Sequence, residues 1–140
     1  MISHYESETN TNGHVADAIL AALDVMSPSD ILLLEIQNDF YTTGIEPADF
    51  DAIRLAVSNG IIVIEDIGNG NYNLDNVTNE EEEKVLNRNS PDFQDSAAIM
   101  VGALESSLPH NRASFSNYDS RIDCYALGGE YYNYWLWRFR

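Results

Sequence analysis

Ile61-Ile62-Val63-Ile64-Glu65-Asp66-Ile67-Gly68-Asn69-Gly70 joins a β-branched run to a Gly-Asn-Gly turn. β-Branched side chains suit a pleated strand. Four apolar residues in a row, without polar alternation, read as a strand over 61–64 buried inside a parallel sheet. Gly68, Asn69 and Gly70 are turn formers: glycine tolerates positive φ, and the asparagine side chain bonds local backbone. The turn aims one amide side chain at whatever lies beyond the strand. A fixed N–H donor there suits stabilisation of charge developing on a tetrahedral carbonyl oxygen. The same residues also make an ordinary turn, so the flanking sequence has to decide.

Upstream, Asn59-Gly60 is a helix C-cap, and the spacing of Phe50, Ile53, Ala56 and Val57 predicts a helix over 47–58. Pro47 suits its first turn. Residues 39–44 read as a loop. Before it, Ile31-Leu32-Leu33-Leu34 is a continuous apolar run, which predicts a strand buried on both faces. Strand, helix and strand make a βαβ unit, whose crossover is expected to be right-handed. A further helix is expected over 15–25, with Val15, Ile19, Ala22 and Leu23 on one face, Asp17 near its start and Ser27-Pro28-Ser29 ending it. Residues 1–13 read as an irregular, flexible lead.

Downstream, residues 71–96 are polar and irregular and include Glu80-Glu81-Glu82-Glu83. A long loop of this kind inside a domain is usually functional or mobile. Strands are expected over 98–101 and 122–126, separated by turn formers over 106–120. Residues 131–140 form a divergent aromatic tail: Tyr131-Tyr132-Asn133-Tyr134-Trp135-Leu136-Trp137-Arg138-Phe139-Arg140. It could bind a peptide on its aromatic surface, cover an exposed sheet edge, or stand outside the fold, with Arg138 and Arg140 limiting aggregation. The fold class is α/β: a mostly parallel sheet of about four strands flanked by helices.

The chain carries 7 basic and 23 acidic residues, a net charge of −16, which disfavours nucleic acid and anionic membranes as partners. It suits solubility, or a cationic partner. One cysteine, Cys124, permits no internal disulfide and reads as a buried structural thiol in a strand. The opening residues are polar and acidic, unlike a signal peptide. No apolar run approaches the ~18 residues of a membrane span. The compartment stays open.

Four stretches, in order, resemble the central part of a subtilisin-like serine peptidase. Asp30-Ile31-Leu32-Leu33-Leu34-Glu35 resembles the family strand that begins one wall of the S1 pocket. Ala56-Val57-Ser58-Asn59-Gly60-Ile61-Ile62-Val63-Ile64, continued to Gly68-Asn69, resembles the helix end, strand and turn that carry the oxyanion-hole asparagine. Ala97-Ala98-Ile99-Met100-Val101-Gly102-Ala103 is similar to a third family strand. Arg112-Ala113-Ser114-Phe115-Ser116-Asn117-Tyr118 followed by Ile122-Asp123-Cys124-Tyr125-Ala126 is similar to the family's "RASFSNYG…IDVYAPG". The likeness covers residues 14–130 and implies a partial subtilisin-like fold. It also implies that Asn69 takes the oxyanion-stabilising position. Glu35, Ile36, Gln37 and Asn38 would form one edge of the substrate cleft, and Asp66, Ile67 and Gly68 the other.

The family's catalytic aspartate, histidine and serine motifs have no counterpart in the sequence. Gly13-His14-Val15-Ala16 echoes the histidine motif, but His14 lies only one helix before the strand at Ile31 and falls at the start of the family's next helix. His4 and His110 read as loop residues. Ser58, Ser90, Ser96, Ser114 and Ser116 have no evident basic partner. A triad peptidase needs nucleophile, base and orienting carboxylate together, so the expectation is a truncated peptidase relative, inactive as this chain alone. Asp66 and Ile67 stand where small residues are usual, Asp119 where a glycine is, and Leu127 where a proline often is. A peptide or protein substrate is implied if other chains supply the triad. A strand edge left open at Ile31 would invite a homo-oligomer or a partner chain. The alternative is an acidic, non-catalytic module that binds a peptide or a cation. Its best motif is Asn69-x-Asn71-x-Asn73-x-Asp75 with Glu80, spaced somewhat like a calcium loop but lacking the central glycine. No cofactor is expected, and a calcium site cannot be placed on named residues.

Overall fold

The computed structural model describes residues 15–38 and 41–128. The expected lead over 1–13, His4, His14 and the aromatic tail over 131–140 lie outside the described residues. Helix α1 (Val15–Leu23) buries Val15, Ile19 and Ala22. It stops two residues before the expected end, and Val25 is 80% exposed. Strand β1 (Ile31–Leu34) is followed by a small antiparallel pair, β2 (Gln37–Asn38) and β3 (Tyr41–Thr42), in place of a plain loop. A 3₁₀ turn over Thr43–Ile45 leads into α2 (Pro47–Ser58), at the limits expected from its pattern. Asn59 caps α2, and Gly60 adopts a φ of 81°, a conformation that glycine enters without penalty.

Strands β4 (Ile62–Asp66), β5 (Ile99–Leu104) and β6 (Cys124–Leu127) complete a four-stranded sheet of order β1-β4-β5-β6. Every pairing in it is parallel, with Leu34 opposite Glu65, Ile64 opposite Ile99, and Val101 opposite Cys124. The Ser29 N–H donates to Gly60 O at 2.8 Å and the Ile62 N–H to Asp30 O at 2.9 Å, which sets the β1–β4 register from the turn after α2. Expected and observed strands differ mainly in length: β5 runs on to Leu104, and β4 continues through Glu65 and Asp66.

The two helices pack on each other, and α2 packs on β4. The core there joins Ile19 of α1 and Ile53 and Ala56 of α2 to Val63, Ile67 and Met100 from the sheet side, each at most 2% exposed. The expectation that β1 is buried on both faces fails. Ile31 is 62% and Leu33 56% exposed, and Ile62 and Ile99 are also open. Among the described residues nothing covers this second face, so the apolar side chains that alternate onto it stay in water. Cys124 is likewise exposed rather than buried, because it lies on the edge strand β6 beside the uncovered face.

Residues 71–96 hold no helix or strand beyond a 3₁₀ turn over Leu74–Asn76. They are nonetheless anchored, because Leu74, Val77, Val85 and Leu86 enter the core. The motif that resembled a calcium loop is used internally. Asn73 Oδ1 accepts the Asp75 N–H at 2.9 Å, and Asp75 Oδ1 accepts from the Ser120 backbone and hydroxyl. Asn79 Oδ1 accepts the N–H groups of Glu81 and Glu83, which fixes the turn around the glutamate run.

Candidate functional site

In open α/β sheets ligands bind beyond the carboxyl ends of the strands. Here those ends carry Glu35 after β1 and Ile67-Gly68-Asn69 after β4. Because Leu34 pairs with Glu65, Glu35 stands beside Asp66. A groove of about 780 Å³ opens there onto the uncovered face. Glu35, Asp66 and Asn69 line it, together with Phe115 and Gly128 from the far side. Of the residues given to the two walls from sequence, Glu35 and Asp66 line this groove. Ile67 does not, since it is 0% exposed and turns its side chain into the core. Gly68 is buried too, so on this side Asp66 and Asn69 line the groove. Ile36 is half-buried and does not line the groove, and Gln37 and Asn38 belong to β2.

The turn holding Asn69 is clamped by Asn117, which is 0% exposed. The Asn117 Nδ2 donates to Ile67 O at 2.7 Å, and its backbone N–H donates to Gly68 O at 3.2 Å. Its Oδ1 accepts the N–H groups of Gly70 at 3.0 Å and Tyr72 at 2.9 Å. One amide thus fixes the backbone on both sides of Asn69, with its donors and acceptor all paired, as a buried amide requires. Further bonds run between the same loops: Asn71 N–H to Phe115 O, Tyr118 N–H to Tyr72 O, and Leu74 N–H to Tyr118 O. Arg112 steadies the second loop by donating to Ser116 O and stacking 4.5 Å over the Tyr118 ring. Asp119, where the family resemblance expects glycine, has a φ of 109°. That conformation disfavours any side chain.

Glu65 is 1% exposed. Its Oε1 accepts from the hydroxyls of Thr42 and Thr43, the latter at 3.0 Å, and from the Gly44 N–H at 2.7 Å. Three donors replace the water this carboxylate has lost. Thr42 sits opposite Gln37, so Glu65 ties β4 to the hairpin that continues the β1 wall. Neither Glu65 nor Asn117 was singled out from sequence. A carboxylate within the apolar run 61–67 is the only signal for Glu65, while Asn117 is one asparagine in a polar loop.

Burial pushes the Asp66 carboxyl above its ordinary value, and Glu35 adds to the effect, against N–H donation from Gly68 at 3.0 Å and from Ile67. Burial also raises Asp49 on α2, with Glu46 and Glu65 adding to it against an N–H bond from Ala16. Asp123 differs. Burial is its largest single influence and raises it, but the Met100 N–H at 2.9 Å and the guanidinium groups of Arg121 and Arg88 together hold it below the ordinary value.

Three of the serine hydroxyls noted in the sequence are engaged elsewhere. Ser58 donates to Leu55 O, Ser90 to Asp92, and Ser116 to Asn117 O. His110 lies on the surface with Nδ1 3.1 Å from Glu105 O. The arrangement offers a clamped turn, an amide at the groove's rim and two carboxylates. It presents no nucleophile–base pair among the described residues.

No family model matches the sequence. No curated protein matches it. A solved structure, "Crystal structure of a cold adapted subtilisin-like serine proteinase", is similar, with a TM-score of 0.61 and 20% identity over 89% of this chain. At that identity the likeness establishes the fold, and this chain has a subtilisin-like fold. It spans 39% of the length of that proteinase chain.

Proposed function

We propose that this chain provides the oxyanion donor and the substrate walls of a subtilisin-like serine endopeptidase site. Nucleophile, base and orienting carboxylate would come from polypeptide outside these 140 residues. The observation that carries this reading is the placement of Asn69. It lies three residues beyond β4 at the rim of the groove, in a turn held on both sides by Asn117. A backbone fixed on both sides of it limits what the Asn69 amide must rearrange to donate to a tetrahedral oxyanion, and preorganised donors of this kind accelerate acyl transfer. Backbone at 35–38 and 66–68 would flank an extended peptide. Asp66 and Glu35 favour a basic substrate side chain between them.

The reading is tested in two steps. The chain alone is expected to show no turnover of a generic peptide substrate that a serine-directed inhibitor blocks; such turnover would overturn the incomplete-site reading. A short basic peptide titrated into labelled chain is expected to shift the amide resonances of residues 35–38 and 66–69. Shifts confined to other segments, or none at millimolar peptide, would remove the cleft assignment.

A further inference from the structure

Asn-Gly occurs at 12–13, 59–60 and 69–70, and the last of these contains the rim residue Asn69. Asparagine is among the thermally labile residues. A following glycine, with no Cβ, lets its own backbone nitrogen approach the asparagine side chain. The pair at 12–13 lies outside the described residues. We infer that Asn69 is a self-modification site, closing on the Gly70 nitrogen with loss of ammonia, and that Asn117 holds it shut by retaining the Gly70 N–H.

The step balances with water as the only co-reactant. The Gly70 nitrogen gives its proton to a solvent base and attacks Asn69 Cγ. An N–Cγ bond forms, the Cγ–Nδ2 bond breaks, and the amide nitrogen takes a proton from water and leaves as ammonia. Water then opens the cyclic imide at either carbonyl, giving aspartate or its β-linked isomer at position 69. Asn69 is exposed, so that water is at hand.

Attack is what the fold obstructs. The Gly70 N–H donates to Asn117 Oδ1 at 3.0 Å, and Asn117 is 0% exposed, so water does not compete for that oxygen. Asn117 also holds Ile67 O at 2.7 Å and Gly68 O at 3.2 Å, which pins the chain on the other side of Asn69. The bond to Gly70 spans 47 residues of sequence. It therefore depends on the loop 112–118 staying docked, not on the turn's own preference. Asn59-Gly60 supplies the contrast. There the Gly60 N–H donates to Val57 O at 2.9 Å, a bond at the end of α2 that does not involve Asn117. The same dipeptide is guarded locally at one place and by a distant side chain at the other. The product at 69 carries a carboxylate, an acceptor only, in a groove that Glu35 and Asp66 already line. Undocking of 112–118 thereby converts the rim from donor to acceptor irreversibly. On the peptidase reading this removes the oxyanion donor, but the modification itself does not rest on that reading.

Incubation of the full chain at mildly alkaline pH, followed by peptide mapping by mass spectrometry, reads conversion at 59 and 69 separately. In the folded chain Asn69 is expected to convert several-fold more slowly than in the same chain unfolded in guanidinium chloride. Asn117→Ala should raise conversion at 69 several-fold, with conversion at 59 and the far-UV circular dichroism unchanged. Exchange of the Gly70 amide should accelerate in the same samples. Arg112→Ala loosens the loop without removing Asn117, because Arg112 bonds Ser116 O and stacks on Tyr118. It serves if the first variant fails to fold, and should act in the same direction less strongly. Conversion of Asn69 in the folded wild-type chain at the unfolded rate overturns the inference. So does a folded variant in which Gly70 exchange accelerates while conversion at 69 does not. A rise of equal size at 59 and 69 assigns the protection to global stability and overturns it equally.

Discussion

Val63 and Met100 lie sealed beneath α2 on one face of the sheet, each 1% exposed, while Ile31 and Ile62 on the other face are 62% and 43% exposed. The residue types are the same, the strands are the same, and only the layer above them differs. An apolar run marks a strand that can be covered on both sides. Whether it is covered depends on what other elements are at hand. The packed face carries the stability of the domain, and the open face carries the groove, its rim residue Asn69 and the exposed thiol of Cys124.

The contrast is broken most directly by truncating one side chain on each face. Ile53→Ala, at 0% exposure under the helices, is expected to lower the unfolding free energy by roughly 3 kcal/mol through lost transfer and a residual cavity. Ile31→Ala, at the open end of β1, should lower it by less than about 1 kcal/mol. Urea midpoints measure both, and equal losses would mean that the second face is covered over its whole length.

Glu65 tests a different seal, that between the sheet and the hairpin. Glu65→Ala removes the acceptor for Thr42, Thr43 and Gly44 and is expected to lower stability by about 2 kcal/mol. Amide exchange at Gly44 should rise with it. Glu65→Gln keeps an acceptor oxygen and should lose about half as much. Unchanged exchange at Gly44 would show that the hairpin is held without the carboxylate.

Asn117→Ala sharpens the comparison at the site. Loss of the side-chain bonds to Ile67, Gly70 and Tyr72 is expected to lower stability by about 1–2 kcal/mol. The discriminating readout is local: exchange at the Gly70 and Tyr72 amides should accelerate far more than in the β4 strand. A uniform acceleration would reduce Asn117 to a general structural residue.

The smallest effects are in pH dependence, and they have opposite signs at two aspartates. Asp66 titrates above its ordinary 3.8 in the folded chain, so its contribution to stability is full below that value and is lost as pH rises through the raised one. Asp66→Asn should therefore stabilise near neutral pH and do little near about pH 3. Asp123 titrates below 3.8, so its contribution is full above that value and is lost as pH falls through the lowered one. Asp123→Asn should destabilise near neutrality and matter less in strong acid. Denaturant midpoints against pH separate the two, and slopes of the same sign would contradict the environments assigned to them.

Much of the framework was legible in the residues themselves. Pro47 and Asn59-Gly60 bracket α2 at the observed limits because φ-restricted and φ-permissive residues act locally. The apolar runs at 31–34, 61–64 and 98–101 mark parallel strands because parallel strands lack polar alternation. The turn that carries Asn69 was legible as a turn, although its clamp by Asn117 was not foreseen. Asn117 and Glu65 gave no local pattern because their partners lie far along the chain, Asn117 bonding Ile67 and Glu65 bonding Thr42. The pair β2–β3 escaped notice because two-residue strands have no periodicity to read.

By itself, then, the sequence determined where this chain runs straight, where it coils and where it turns, since those choices rest on each residue's own sterics and its near neighbours. It also placed a Gly-Asn-Gly turn directly after the second apolar run. Only the tertiary structure decided which side of the sheet is sealed, that Ile67 faces the core while Asp66 faces the groove, and that one buried asparagine fixes the rim. These follow from the pleat's alternation and from contacts between distant segments, and a one-residue change of register would reverse each of them.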